Sequence, residues 1–223
     1  QRKKEEVGRS NWFGKHLDAD LIAEVMRRIT EDGPLSTHDF ETKAKGEKAM
    51  WQRPPHKMVL DYLWYSGVLA TSHRDGFTKY YDLAERVFPH DLPAFSDAEQ
   101  VNQLCLAALD RIGFGTPGEV QRFWEACSAA EVKSWVTRAA TERVEVEVQG
   151  ADGAWSNALA CADIEARISA LQEPTSRLRI LNPFDPAIRD RARLARLFGF
   201  DYTVEMFVPA AQRKWGYYVY PLL

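Results

Sequence analysis

The sequence predicts an α+β chain, and three observations predict it. Between Leu17 and Tyr81, apolar residues recur at helical spacing in successive segments and then switch to alternation around Asp75-Gly76. The same order recurs between Asp97 and Trp155. The stretch from Leu178 to Leu223 then joins a twice proline-broken turn, an arginine-bearing helix and two alternating aromatic segments. The expected boundaries are residues 1–92, 93–173 and 174–223.

Leu17, Leu21, Ile22, Val25, Met26 and Ile29 form one helical stripe, with Asp18 and Asp20 at the start, where the helix dipole favours acids. Asp32-Gly33-Pro34 stops it. Ser36, with Asp39 three residues on, suits the cap of a short second helix. Lys57–Ser66, after Pro54-Pro55 and before Gly67, reads as a third. Val68–His73 and Thr78–Tyr81 flank an Asp-Gly turn, a hairpin signal. Three helices followed by a hairpin is the order of a winged helix-turn-helix, whose third helix enters the major groove and whose wing meets backbone or minor groove.

Residues 97–155 repeat the plan. Asp97 is read as the cap of a helix through Ile112, Thr116 as the cap of a short one ending near Cys127, and Ser128 as the cap of a third through Thr141. Val144, Val146 and Val148 alternate with Glu145 and Glu147 before a Gly150–Gly153 turn. That wing is acidic, so this unit reads as a structural copy rather than a DNA binder. Asp163–Leu171 adds a helix, and Gln172–Ser176 is a linker. In the C-terminal block, Pro183 and Pro186 end the apolar run Leu178–Leu181. Arg189–Phe198 then gives one short helix, and Thr203–Val208 with Gly216–Leu222 an antiparallel hairpin.

With 223 residues, 45% hydrophobic and 27% charged, the chain is ordinary for a globular protein. No apolar run approaches the roughly 20 residues of a membrane-spanning helix, and the start, QRKKEEVGRS, is no signal peptide. Without an initiator Met it reads as part of something longer. Cys105, Cys127 and Cys161, odd in number and far apart, read as buried thiols in a cytoplasmic protein. The five histidines share no metal-ligand spacing, so no metal or cofactor is expected. The seven tryptophans read as packing. The net charge of -3 conceals segregation, since residues 42–81 hold seven Lys/Arg against three Asp/Glu, 174–223 eight against four, and 91–173 six against fourteen. Basic ends around an acidic middle suit two phosphate-facing surfaces.

The candidate phosphate contacts are Arg53, His56 and Lys57 at the third helix start, Arg74 and Lys79 on the wing, and Arg189, Arg191, Arg193 and Arg196 near the C-terminus. Tyr80 or Phe77 could wedge or stack. Asp185 and Asp190 form a carboxylate pair, read as turn and helix-start residues rather than catalytic acids. No phosphate-cradling Gly-rich loop, His-Glu-x-x-His or Gly-x-Ser-x-Gly is present.

Gly33–Phe40, Trp51, Lys57–Tyr65, Gly67–Leu69, Arg74–Phe77 and Tyr81–Pro89, together with the C-terminal block, resemble the YcaQ/AlkZ-type winged-helix family of crosslink-repair DNA glycosylases. His38 departs from the family's usual Arg. The resemblance implies glycosylase chemistry carried by a Gln-hydrophobic-Gln or Gln-hydrophobic-Asp motif that positions a water against the sugar carbon. None of the glutamines at 1, 52, 100, 103, 121, 149, 172 and 212 has Gln or Asp two residues on. The chain therefore reads as the middle and C-terminal part of the family's length, a monomer gripping double-stranded DNA near a lesion. A transcription regulator and a protein-interaction scaffold are the alternatives.

Overall fold

A computed structural model describes residues 17–40, 54–88, 95–138 and 141–222. They fall into two compact units, Gln1–Ala94 and Phe95–Leu223. Arg53 and Trp51 lie outside the described residues.

In the first unit, α1 (Ala19–Asp32) starts where the Asp18 carboxylate accepts the Asp20 amide at 2.9 Å. Val25 and Ile29 are fully buried on its inner face. It stops at Gly33, whose φ of 86° and ψ of -152° lie in a region essentially confined to glycine. A 3-10 turn, Thr37–Asp39, follows, with Ser36 and Asp39 exchanging hydrogen bonds in a capping box. Helix α2 (Pro55–Tyr65) packs Val59, Leu60 and Leu63 into the core with Val25, Ile29, Leu69 and Tyr81. Strands β1 (Leu69–Asp75) and β2 (Thr78–Leu83) pair antiparallel, with Leu69 opposite Leu83 and Arg74 opposite Lys79. A bridge between Leu35 and Tyr81 ties the segment after α1 to β2. The short α3 (Ala84–Val87) carries Arg86, which donates to the Ile29 and Thr30 carbonyls at the end of α1. A cation there complements the negative end of the helix dipole.

The second unit opens with α4 (Asp97–Ile112), β3 (Phe114–Gly115), α5 (Pro117–Trp124) and α6 (Ala129–Thr137). Ser96, not Asp97, caps α4: its hydroxyl and Glu99 complete a capping box, as Thr116 with Glu119 and Ser128 with Glu131 do for α5 and α6. Helix α6 closes at Thr137, short of the expected Thr141. Strands β4 (Arg143–Gln149) and β5 (Trp155–Cys161) form a three-stranded antiparallel sheet with β3, in the order β3-β5-β4. Trp135, 1% exposed, centres this core; its indole N–H donates to Asn102 at 2.7 Å. The Arg143 guanidinium lies over the Trp135 ring and donates to the Trp135, Val136 and Arg138 carbonyls, satisfying the end of α6. Helix α7 (Ile164–Ser169) follows the sheet.

The C-terminal block departs from expectation twice. The single helix over Arg189–Phe198 is two, α8 (Pro186–Arg189) and α9 (Arg191–Phe198), because Asp190 is extended and its carboxylate caps the second. The expected hairpin is absent among the described residues: Thr203–Val208 and Gly216–Leu222 share no ladder, and Ile180 bridges Leu222 instead. A side chain replaces the ladder. The Glu205 carboxylate accepts the amides of Lys214, Trp215 and Gly216 at 2.7, 2.6 and 3.0 Å, and the Tyr202 hydroxyl donates to the Val219 carbonyl at 2.7 Å. Those amide bonds hold the Glu205 carboxyl below its ordinary pKa.

Candidate nucleic-acid interface

The β1-β2 ribbon brings cationic and aromatic side chains together. The turn between its strands is Gly76-Phe77, with Gly76 at a φ of 54°, where an L side chain is disfavoured and glycine is not. Phe77 at the tip is fully exposed. Arg74, exposed, faces Lys79 across the ribbon. One pair further in, His73 and Tyr80 stack with ring centroids 4.5 Å apart and planes 10° from parallel. The Lys79 ammonium sits over the Trp64 ring at 4.1 Å. Burial first, then the neighbouring charges of Lys57 and Arg74, hold Lys79 below the ordinary lysine pKa. Arg74 and Lys79 are the ribbon's cations, with Asp75 exposed between Arg74 and the turn.

Helix α2 is a different surface from the one its sequence suggests. Tyr65 is its one exposed residue, and His56, Met58, Val59, Leu60, Asp61 and Leu63 are buried. The His56 ring stacks on Phe40 at 4.8 Å with Nε2 3.6 Å from Glu24, so His56 serves packing rather than a phosphate. Lys57 turns inward, its Nζ 2.9 Å from Asp61 Oδ1 and 3.4 Å from the Tyr81 hydroxyl. Burial lowers the Lys57 pKa, but the bond to Asp61 and its charge more than offset that, and the net shift is upward.

The arginines of the second unit divide by partner. Arg193 is buried, with Nη1 2.8 Å from Glu119 Oε2, and its other nitrogen donates to the Ile112 carbonyl. Arg193 therefore does not face solvent, which corrects its placement among the phosphate contacts. Arg196 pairs with the other Glu119 oxygen at 2.7 Å. Arg189 donates to the Phe123 carbonyl and lies over the Phe123 ring. Arg191 is exposed and has no partner among the described residues. Asp190 accepts Arg122 at 2.9 Å besides capping α9, and Asp185 accepts the Ala187 amide at 2.9 Å. Both carboxylates hold structure, as their positions suggested.

Several contacts were invisible in the sequence. Trp64 as the seat of Lys79 needs the helix-to-ribbon geometry, whereas the His73-Tyr80 stack follows once the hairpin register is known. The three cysteines are buried thiols; burial and then neighbouring Cys127 push Cys105 up to about 12. Among the described residues, no cluster of His, Cys, Asp or Glu could hold a metal ion, and no helix is long and apolar enough to cross a membrane.

The fold has a counterpart among solved structures. The Streptomyces sahachiroi DNA glycosylase AlkZ structure superposes with a TM-score of 0.50 at 19% sequence identity, covering 99% of this chain and 54% of that one. The likeness concerns the fold, and the chain spans about half the length of that relative. The family profile described as "DNA glycosylase AlkZ-like" matches residues 1–223. With two antiparallel sheets among helices and a match along its whole length, the chain belongs to the AlkZ-like DNA glycosylase family.

Proposed function

We propose that the chain is the DNA-gripping portion of a crosslink-repair glycosylase-like protein, a monomer built of tandem winged-helix units that holds duplex near a lesion. The observation that carries this reading is the β1-β2 wing, where a fully exposed Phe77 stands beside the Arg74-Lys79 pair. A planar apolar tip beside two cations suits a groove: the cations meet phosphates and the ring wedges between base steps. Burial first, and then the charges of Lys57 and Arg74, depress Lys79, and a phosphate at the wing would counter the second of these.

The buried face of α2 shifts the grip from helix to wing. With His56 packed and Lys57 committed to Asp61, contact through the wing to the backbone is favoured over base reading by the helix, so affinity exceeds sequence discrimination. The sequence holds no Gln-hydrophobic-Gln or Gln-hydrophobic-Asp motif, so this portion binds without cleaving an N-glycosidic bond. Fluorescence anisotropy with a labelled duplex at low salt tests the reading. Binding should weaken about tenfold in Arg74→Ala and in Phe77→Ala, and equal affinity in wild type and both variants would exclude the wing.

A further inference from the structure

A cleft of about 510 Å³ opens between α5 and the α8-α9 corner, within the roughly 300–1,000 Å³ of small-ligand sites. Its walls include Trp124, Phe123, Arg122, Arg189 and Arg191. Glu119 serves both Arg193 and Arg196, and Asp190 serves Arg122. Arg189 donates to the neutral Phe123 carbonyl, and Arg191 is exposed with no partner among the described residues. Glu125 also lines the cleft, so the excess of positive charge is small and suits a single phosphate rather than a polyphosphate.

The other wall is aromatic. Trp124 spends its indole N–H on the Leu104 carbonyl at 2.9 Å; Arg111 lies over its ring and Phe123 meets it edge-on, and the part of the ring they leave open, with Trp124 38% exposed, lines the cleft. Cations and an aromatic side chain lining one cleft are the elements that hold an unstacked nucleotide.

The geometry points to a nucleotide subsite in this cleft: one unit of a nucleic-acid strand, its phosphate against Arg189 and Arg191 and its base against Trp124. The ligand class rests on the nucleic-acid reading above, but the site lies in the Phe95–Leu223 unit and does not require the wing. Such a subsite captures a nucleotide that has left the stack, whereas the wing meets intact duplex.

Calorimetric titration of the 223-residue chain with 2′-deoxyadenosine 5′-monophosphate decides it. Saturable binding is expected, weakened about tenfold in Arg191→Ala, a substitution that removes no hydrogen bond or ion pair among the described residues. A short oligothymidylate should compete with the mononucleotide, while deoxyadenosine and inorganic phosphate at equal concentration should not. No binding at millimolar ligand, undiminished binding in Arg191→Ala, equal competition by inorganic phosphate, or no competition by the oligonucleotide would each overturn the assignment. Arg74→Ala should leave mononucleotide binding unchanged. A chain that takes the mononucleotide but no duplex contradicts the wing reading alone, and the converse contradicts this one alone.

Discussion

Arg193 Nη1 lies 2.8 Å from Glu119 Oε2, both side chains buried, and this contact fastens α9 to α5 across 74 residues of sequence. Glu119 also receives Arg196 and the Thr116 amide, so one carboxylate satisfies two arginines and a helix start. Burial works against its charge, but these partners outweigh burial and hold its pKa below the ordinary value. Breaking a buried pair strands an uncompensated charge, at a cost of about 3–5 kcal/mol. Glu119→Gln should lower stability by about 3 kcal/mol in urea denaturation at pH 7. Because the folded pKa is depressed, the contribution is present above the unfolded carboxylate range, near ~4.3, and is lost as pH falls through the folded value. The gap between wild type and Glu119→Gln should therefore close below about pH 4.3.

Lys57 behaves with the opposite sign. Its folded pKa is raised, so its stabilisation is complete below the unfolded lysine value, near ~10.4, and is lost as pH rises through the folded value. Lys57→Met should cost about 2 kcal/mol at neutral pH, less than a fully buried pair because Lys57 is partly exposed. Urea midpoints of the two proteins should converge in strong alkali. A loss of DNA affinity in this variant has to be read against its lost stability, which makes Lys57 a poorer probe of binding than Arg74.

Gly33 ends α1 in a conformation that side-chain-bearing residues rarely adopt, although no atom lies within 4 Å of where a Cβ would stand. The cost of Gly33→Ala is therefore conformational, about 1–3 kcal/mol. Thermal unfolding followed by circular dichroism should show a lowered midpoint with an unchanged native spectrum.

The helices and ribbon of the first unit were legible because each carries its own punctuation: acids at the start of α1, Ser36 as a cap, Pro54-Pro55 before α2, Asp75-Gly76 at the turn. Local chemistry fixed those boundaries. Burial of α2 was less legible, since Lys57 looks like a surface cation until Asp61 and Tyr81 are seen beside it. Arg193 misled for a related reason, its partner Glu119 lying on another helix. The C-terminal alternation misread as a hairpin is real in sequence, but Glu205 and Tyr202 supply hydrogen bonds that a strand ladder would otherwise make. Periodicity cannot reveal a side chain that substitutes for backbone.

The salt dependence of duplex affinity tests the wing most directly. Log affinity against log salt has a slope near -0.9 per phosphate neutralised on B-form DNA, so removing one phosphate contact shallows it by about one. Between about 50 and 200 mM salt, wild type should lose affinity steeply, Arg74→Ala should lose it with a slope shallower by about one, and Phe77→Ala should bind more weakly with the wild-type slope. Binding indifferent to salt, or an Arg74→Ala slope equal to that of wild type, would contradict the account.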